Sequence, residues 1–251
     1  MLYRVIAFVA MTILGFPLTS SAFSINLVCS ACSNGNPGGL DVYEVTDLIT
    51  GDTFDLNWGG LVDGIAAIAT VTIEAVSSTE ATVKVDLTNN SPQISGADPR
   101  ITSFGLSIEG FSSVDTTDST GGTYLDDFDE GNFPGFGSNT GFEVVACATS
   151  GPNCAGGGSG GIPSAGGNDV FTFVITGTFT GSKLNLDAFA IKIQGGPDGP
   201  EGDSYELPGV PGGGDDNGTG GSGTPVPEPG TVLLLGSGLV ALGLLRRRQM
   251  K

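Results

Sequence analysis

The chain has 251 residues, with 9 Lys plus Arg against 27 Asp plus Glu, a formal net charge of -18. Such an acidic chain repels phosphate instead of releasing its counterions, which excludes nucleic acid as a partner. It contains no histidine, so imidazole-based triads, metal ligation and proton transfer are absent from its chemistry.

In chain order, the first expected element is a signal peptide over residues 1–22. Arg4 supplies a positive start, Val5 to Leu14 an apolar run, and Ser20-Ser21-Ala22 a small-residue cleavage site. Such a leader sends the remainder of the chain out of the cytoplasm. Residues 23–208 form the body, long enough for one domain with a substantial core. Arg4 leaves with the leader and Arg246, Arg247, Arg248 and Lys251 lie in the tail, so the body is more acidic than the intact chain. Its cations are Lys84, Arg100, Lys183 and Lys192.

The body reads as β. Thr70 to Val76 and Ala81 to Leu87 alternate apolar and polar residues around Ser77-Ser78-Thr79-Glu80, which predicts a hairpin. Further strands are expected over Ile101 to Ile108, Phe142 to Cys147, Val170 to Thr180 and Leu184 to Ile193, with Gly181-Ser182 as a second tight turn joining the last two. No stretch of the body has sustained helical periodicity. The predicted fold class is all-β, an antiparallel β-sandwich or jelly-roll-like body, flanked by an N-terminal signal helix and a C-terminal transmembrane sorting helix.

Cys29, Cys32, Cys147 and Cys154 are the disulfide candidates, since an even set of cysteines in an exported body forms bridges. The spacing leaves all three connectivities open. Pairing within each couple closes short loops, whereas bridging between the couples pins the N-terminus across the domain. A four-thiolate zinc site and a redox pair at Cys29-Ser30-Ala31-Cys32 are the functional alternatives, and the spacing fits zinc only in part. The glycine run after Cys154 lacks the Lys and adjoining Ser or Thr of a phosphate-binding loop.

Asp126, Asp127, Asp129 and Glu130, downstream of Asp115 and Asp118, gather hard oxygen ligands near Gly131 and are weak calcium candidates. Their spacing is not that of an EF-hand, and a solvated acidic loop is the favoured reading. Asp198, Glu201 and Asp203 form a second such group. Calcium is the one cofactor considered; otherwise none is expected. Carboxylate pairs could serve a glycosidase, but the acids are too many for any pair to stand out, and the chain is read as no enzyme. Thr70, Thr72, Thr176, Thr178 and Thr180 make short rows suited to ice or glycan contact, or simply to the wet side of a sheet. Trp58 could stack on a sugar; core packing is favoured.

Residues 209–225 are a Gly-rich linker, expected to behave as flexible coil. The tail 226–251 then reads Val226-Pro227-Glu228-Pro229-Gly230, an uncharged run to Leu245, and Arg246-Arg247-Arg248. As a helix, Gly230 to Leu245 spans roughly 24 Å at about 1.5 Å per residue, tight for a hydrocarbon core of about 30 Å. The arginines hold its end in the cytoplasm.

This order of breaker, apolar span and basic stop resembles the PEP-CTERM sorting signal of Gram-negative bacteria. The resemblance implies recognition by an exosortase in the inner membrane, processing near Pro227-Glu228-Pro229, and delivery of the body to the cell surface or extracellular space. Cys147-Ala148 and the glycine run from Gly156 to Gly161, with Phe104-Gly105-Leu106 and Phe189 to Gln194, are similar to the cistern family of PEP-CTERM proteins. The expected protein is a non-enzymatic surface or matrix component, structural or adhesive in biofilm or exopolysaccharide. Its expected partners are exosortase, the membrane through the C-terminal helix, and extracellular polysaccharide; the alternative is a calcium- or carbohydrate-binding extracellular module.

Overall fold

The computed structural model describes residues 23–30, 40–59, 61–62, 64–93, 98–133, 143–156, 160–195 and 204–212. The signal peptide, the linker beyond Gly212, the sorting segment, Cys32, and the group Asp198, Glu201 and Asp203 lie outside these residues.

Thirteen strands make up the described fold: β1 (Ser24–Cys29), β2 (Val42–Leu48), β3 (Thr53–Asn57), β4 (Ala67–Val76), β5 (Glu80–Asn89), β6 (Arg100–Ile108), β7 (Phe111–Val114), β8 (Asp127–Glu130), β9 (Ala146–Thr149), β10 (Gly167–Gly177), β11 (Leu184–Gln194), β12 (Ser204–Pro208) and β13 (Val210–Pro211). They form two antiparallel sheets. The first has seven strands, in the order β1-β2-β11-β6-β9-β8 with β12 beside β11; the second has six, in the order β13-β3-β4-β5-β10-β7. The body is all-β and sandwich-like, as its alternation predicts.

The predicted hairpin is β4 and β5, with Val71 opposite Val85. Period-two patterning puts Ala69, Val71 and Ile73 inside with Val83, Val85 and Leu87, and leaves Thr70, Glu74 and Asp86 outside. Across the sandwich, Phe104 of β6 meets Phe171 and Phe173 of β10 at ring separations of 5.6 and 6.4 Å. Phe189 of β11 meets Phe54 of β3 at 5.5 Å. These rings join the sheets through the core.

The predicted second tight turn is not a hairpin. Gly181 and Ser182 have φ of 69° and 56°, the left-handed pair a two-residue turn requires, but the chain there crosses from one sheet to the other. Both edges of β10 are already taken, by β5 and β7. Its successor β11 therefore pairs with β2, β6 and β12 in the opposite sheet.

Order also extends past the expected boundary at Pro208. Val210 and Pro211 pair with Asn57 and Leu56, and the Gly209 and Gly212 amides donate to the carbonyls of Phe189 and Asp55 at 2.8 and 3.0 Å. The start of the expected linker is thus the closing strand of the second sheet.

Candidate functional site

Around β6, β9 and β11 the first sheet is buried on both faces, whereas its edge strand β1 is largely exposed. On β11 a bulge at Asp187 switches the alternation, so Leu184 and Leu186, then Phe189, Ile191 and Ile193, enter the main core. Ala188 and Ala190 consequently face outward, into a second apolar cluster with Val42, Phe133, Val144, Cys147 and Cys154. This roof needs a bare backbone beneath it. A Cβ at Gly105 would lie 2.9 Å from both Phe133 and Val144, nearer than such atoms pack.

Cys147 and Cys154 are bonded to each other. That pairing removes the two connectivities that bridge the cysteine couples, and with them the four-thiolate zinc reading, because a disulfide has no thiolate to offer. Cys29 is likewise disulfide-bonded. The loop closed by Cys147 and Cys154 is tied to the sheet by side chains: Ser103 and Thr149 share a hydroxyl hydrogen bond of 2.9 Å, and Ser103 Oγ donates to the Cys154 carbonyl at 3.3 Å. Asn153 has φ of 60°, a conformation its side chain tolerates better than most, and its amide donates to Asp129 Oδ2 at 2.5 Å.

The acidic segment read as a solvated or calcium-binding loop is, from Asp127 to Glu130, the edge strand β8. Strand geometry sends successive side chains to opposite faces. Asp127 and Asp129 stand opposite Thr149 and Cys147, Phe128 enters the core, and Glu130 Oε1 accepts from the Val114 amide at 3.0 Å. The four carboxylates do not converge, and among the described residues no group of three or more His, Cys, Asp or Glu is disposed to hold a metal ion. Upstream, Asp115 Oδ1 accepts from the amides of Thr117 and Asp118 at 2.9 and 3.2 Å, a local turn.

Trp58 is fully buried, and its Nε1–H donates to the Leu207 carbonyl at 3.0 Å. The sugar-stacking alternative therefore fails on access. Thr70 Oγ1 donates to Asp55 Oδ1 at 2.8 Å, while Thr176 shares a 2.5 Å hydrogen bond with Ser113. Thr70 and Val170 both flank Asp86, and Thr176 lies about 20 Å further along β10 at about 3.4 Å per residue. The threonine rows do not merge into one patch.

Several polar devices escaped the sequence reading. Lys192 and Glu206 face each other across β11 and β12, with Nζ 3.8 Å from Oε1 and both side chains nearly inaccessible. Burial pushes the Glu206 carboxyl above its ordinary range, against the pull of Lys192. Asp187 is also raised, by burial and then by Glu109 and Glu44 nearby. At Asp98, burial acts upward, but hydrogen bonds from Ser164 and Arg100 and the Arg100 charge outweigh it and hold the carboxyl low. Asp169, buried near the start of β10, accepts from the amides of Thr123, Tyr124 and Leu125 at 2.6, 3.0 and 2.8 Å. The local string Asn168-Asp169-Val170 carries no sign of this, because the acceptor's partners are far away in sequence.

Functional assignment rests on the other end of the chain. Residues 225–248 match the PEP-CTERM protein-sorting motif. The chain is a PEP-CTERM protein. Val226, Pro227, Glu228, Pro229 and Gly230 and the arginines Arg246, Arg247 and Arg248 all fall within the matched residues. The motif implies exosortase as the processing partner of this PEP-CTERM protein and export to the cell envelope or surface. No curated protein and no solved structure matches the chain.

Proposed function

We propose that this PEP-CTERM protein is a non-enzymatic structural or adhesive component of the cell surface or extracellular matrix. In this reading the sandwich is cargo, the residues after Gly212 are a tether, and the tail from Val226 is a removable handle cut near Pro227-Glu228-Pro229. The observation that carries the proposal is the sorting motif at residues 225–248. Chemistry of the body supports it: carboxylates such as Asp169, Glu130 and Asp98 serve backbone amides or neighbouring side chains within the fold, which is structural work. Similarity of Cys147-Ala148, the glycine run and Phe104-Gly105-Leu106 to the cistern family supports a narrower placement among PEP-CTERM proteins.

Mass spectrometry of the chain recovered from culture medium and from envelope fractions tests this reading. The expected product begins at Phe23 and ends before Thr231, and Glu228→Ala retains the tail. Recovery of full-length, tail-bearing chain from the cytosol with reduced cysteines would overturn it.

A further inference from the structure

We infer that β1 is a docking edge through which two copies of this chain join, strand to strand and antiparallel. Strand edges carry unpaired amides and carbonyls and recruit other strands unless they are defended by charge, proline or brevity. Four of the five outer strands among the described residues are defended. β8 carries Asp127, Asp129 and Glu130, β12 carries Glu206 and ends at Pro208, β13 is two residues ending at Pro211, and β7 is four residues long with its Val114 amide held by Glu130.

β1 carries no charge or proline and runs six residues, with one register shift against β2 between Leu27 and Cys29. Among the described residues it pairs on one side only, with β2, from Ser24 opposite Thr46 to Leu27 opposite Tyr43. Leu27 and Val28 are 50% and 53% exposed, the most open of the large apolar side chains described. Both would lose water contact against an added strand.

Charge points to a second copy as the occupant. From Phe23 to Leu40 no charged residue occurs, while the whole chain carries -18. Two acidic bodies repel least where the joining strands themselves carry no carboxylate, the neighbouring Glu44 of β2 accepting a hydrogen bond from Asn26 at 3.1 Å. Antiparallel pairing of β1 with itself about a two-fold axis is also self-complementary, so the contact closes as a dimer. Because a contact through one added strand buries little area, the dimer belongs to the weak, reversible class, and screening by salt strengthens it by damping repulsion between the bodies. This inference is independent of the matrix role proposed above.

Sedimentation velocity on the exported chain, as recovered from producing cells, tests it over a range of concentration and NaCl. The expected result is a monomer–dimer equilibrium that shifts towards dimer with NaCl, while amides of Ser24 to Leu27 gain hydrogen-exchange protection as dimer forms. Leu27→Lys and Val28→Lys each weaken the dimer at least tenfold with unchanged thermal unfolding, since both sites are exposed. Lysine lowers the net negative charge, so charge alone predicts tighter association; weakening therefore reports the edge itself. Ile68→Lys and Val170→Lys, at exposed positions of β4 and β10 in the other sheet, leave the dimer unchanged. A monomer at every concentration, including one that captures a different protein, overturns the inference. So does a dimer insensitive to both β1 lysines, or one abolished by the β4 and β10 substitutions.

Discussion

Glu130 Oε1 accepts a hydrogen bond of 3.0 Å from the backbone amide of Val114. Glu130 ends β8, the edge of one sheet, and Val114 ends β7, the edge of the other. One carboxylate thus ties the two sheets together at this edge of the sandwich. Replacing Glu130 by Ala leaves that amide without its partner, at a cost of about 1–2 kcal/mol. Urea unfolding of the exported chain should show a lower midpoint with an unchanged slope.

Asp169 anchors the segment before β8 by accepting from three consecutive amides. Asp169→Ala leaves them without an acceptor in a buried setting, at a cost of about 3 kcal/mol or more. Hydrogen exchange localises the effect: the amides of Thr123, Tyr124 and Leu125 lose protection before those of β4 and β5. Uniform loss across the sandwich would contradict a local anchoring role.

The Cys147–Cys154 bond closes a short loop, and the chain-entropy account assigns it about 2–3 kcal/mol. The double variant Cys147→Ala with Cys154→Ala should lower unfolding stability by that amount. Export and tail processing should persist, because neither cysteine lies in the sorting motif. Immunoblots of cell fractions check the second point, calorimetry the first.

Gly105 lies under the roof of Phe133 and Val144. Gly105→Val forces side-chain and backbone shifts, costing about 1–3 kcal/mol through overpacking. A stabilised Gly105→Val variant in thermal melts would show that the second cluster does not sit where the structure places it.

Stability should respond to acid in two stages. Glu206 and Asp187 have raised folded pKa values, so the folded state binds their protons more tightly than the unfolded chain does. Stability therefore rises as pH falls through those folded values. Asp98 is held low; its contribution is present above the unfolded value, about 3.9, and is lost as pH falls through its folded one. Thermal melts across this range should show a maximum on the acid side of neutral. Asp187→Asn should raise the melting temperature at pH 7 and flatten the initial rise, since it removes a carboxylate crowded by Glu109 and Glu44.

Sequence alone determined the address and the fold class. A sorting motif is a local string of breaker, apolar run and arginines, and it is legible because its meaning lies in order along the chain. β4 and β5 were equally legible, since a period of two with one wet face is a local signature. Partnership between distant segments was decided only by the tertiary structure. Asp127 to Glu130 resembled an acidic loop until Phe128 found Phe173 in the core at 5.2 Å. Gly181-Ser182 had hairpin chemistry, but β10 had no free edge left to offer β11. Asn153 and Asp129, Trp58 and Leu207, and Lys192 and Glu206 meet because the sheets bring them together, and hydrogen bonds between segments remote in sequence leave no periodic trace.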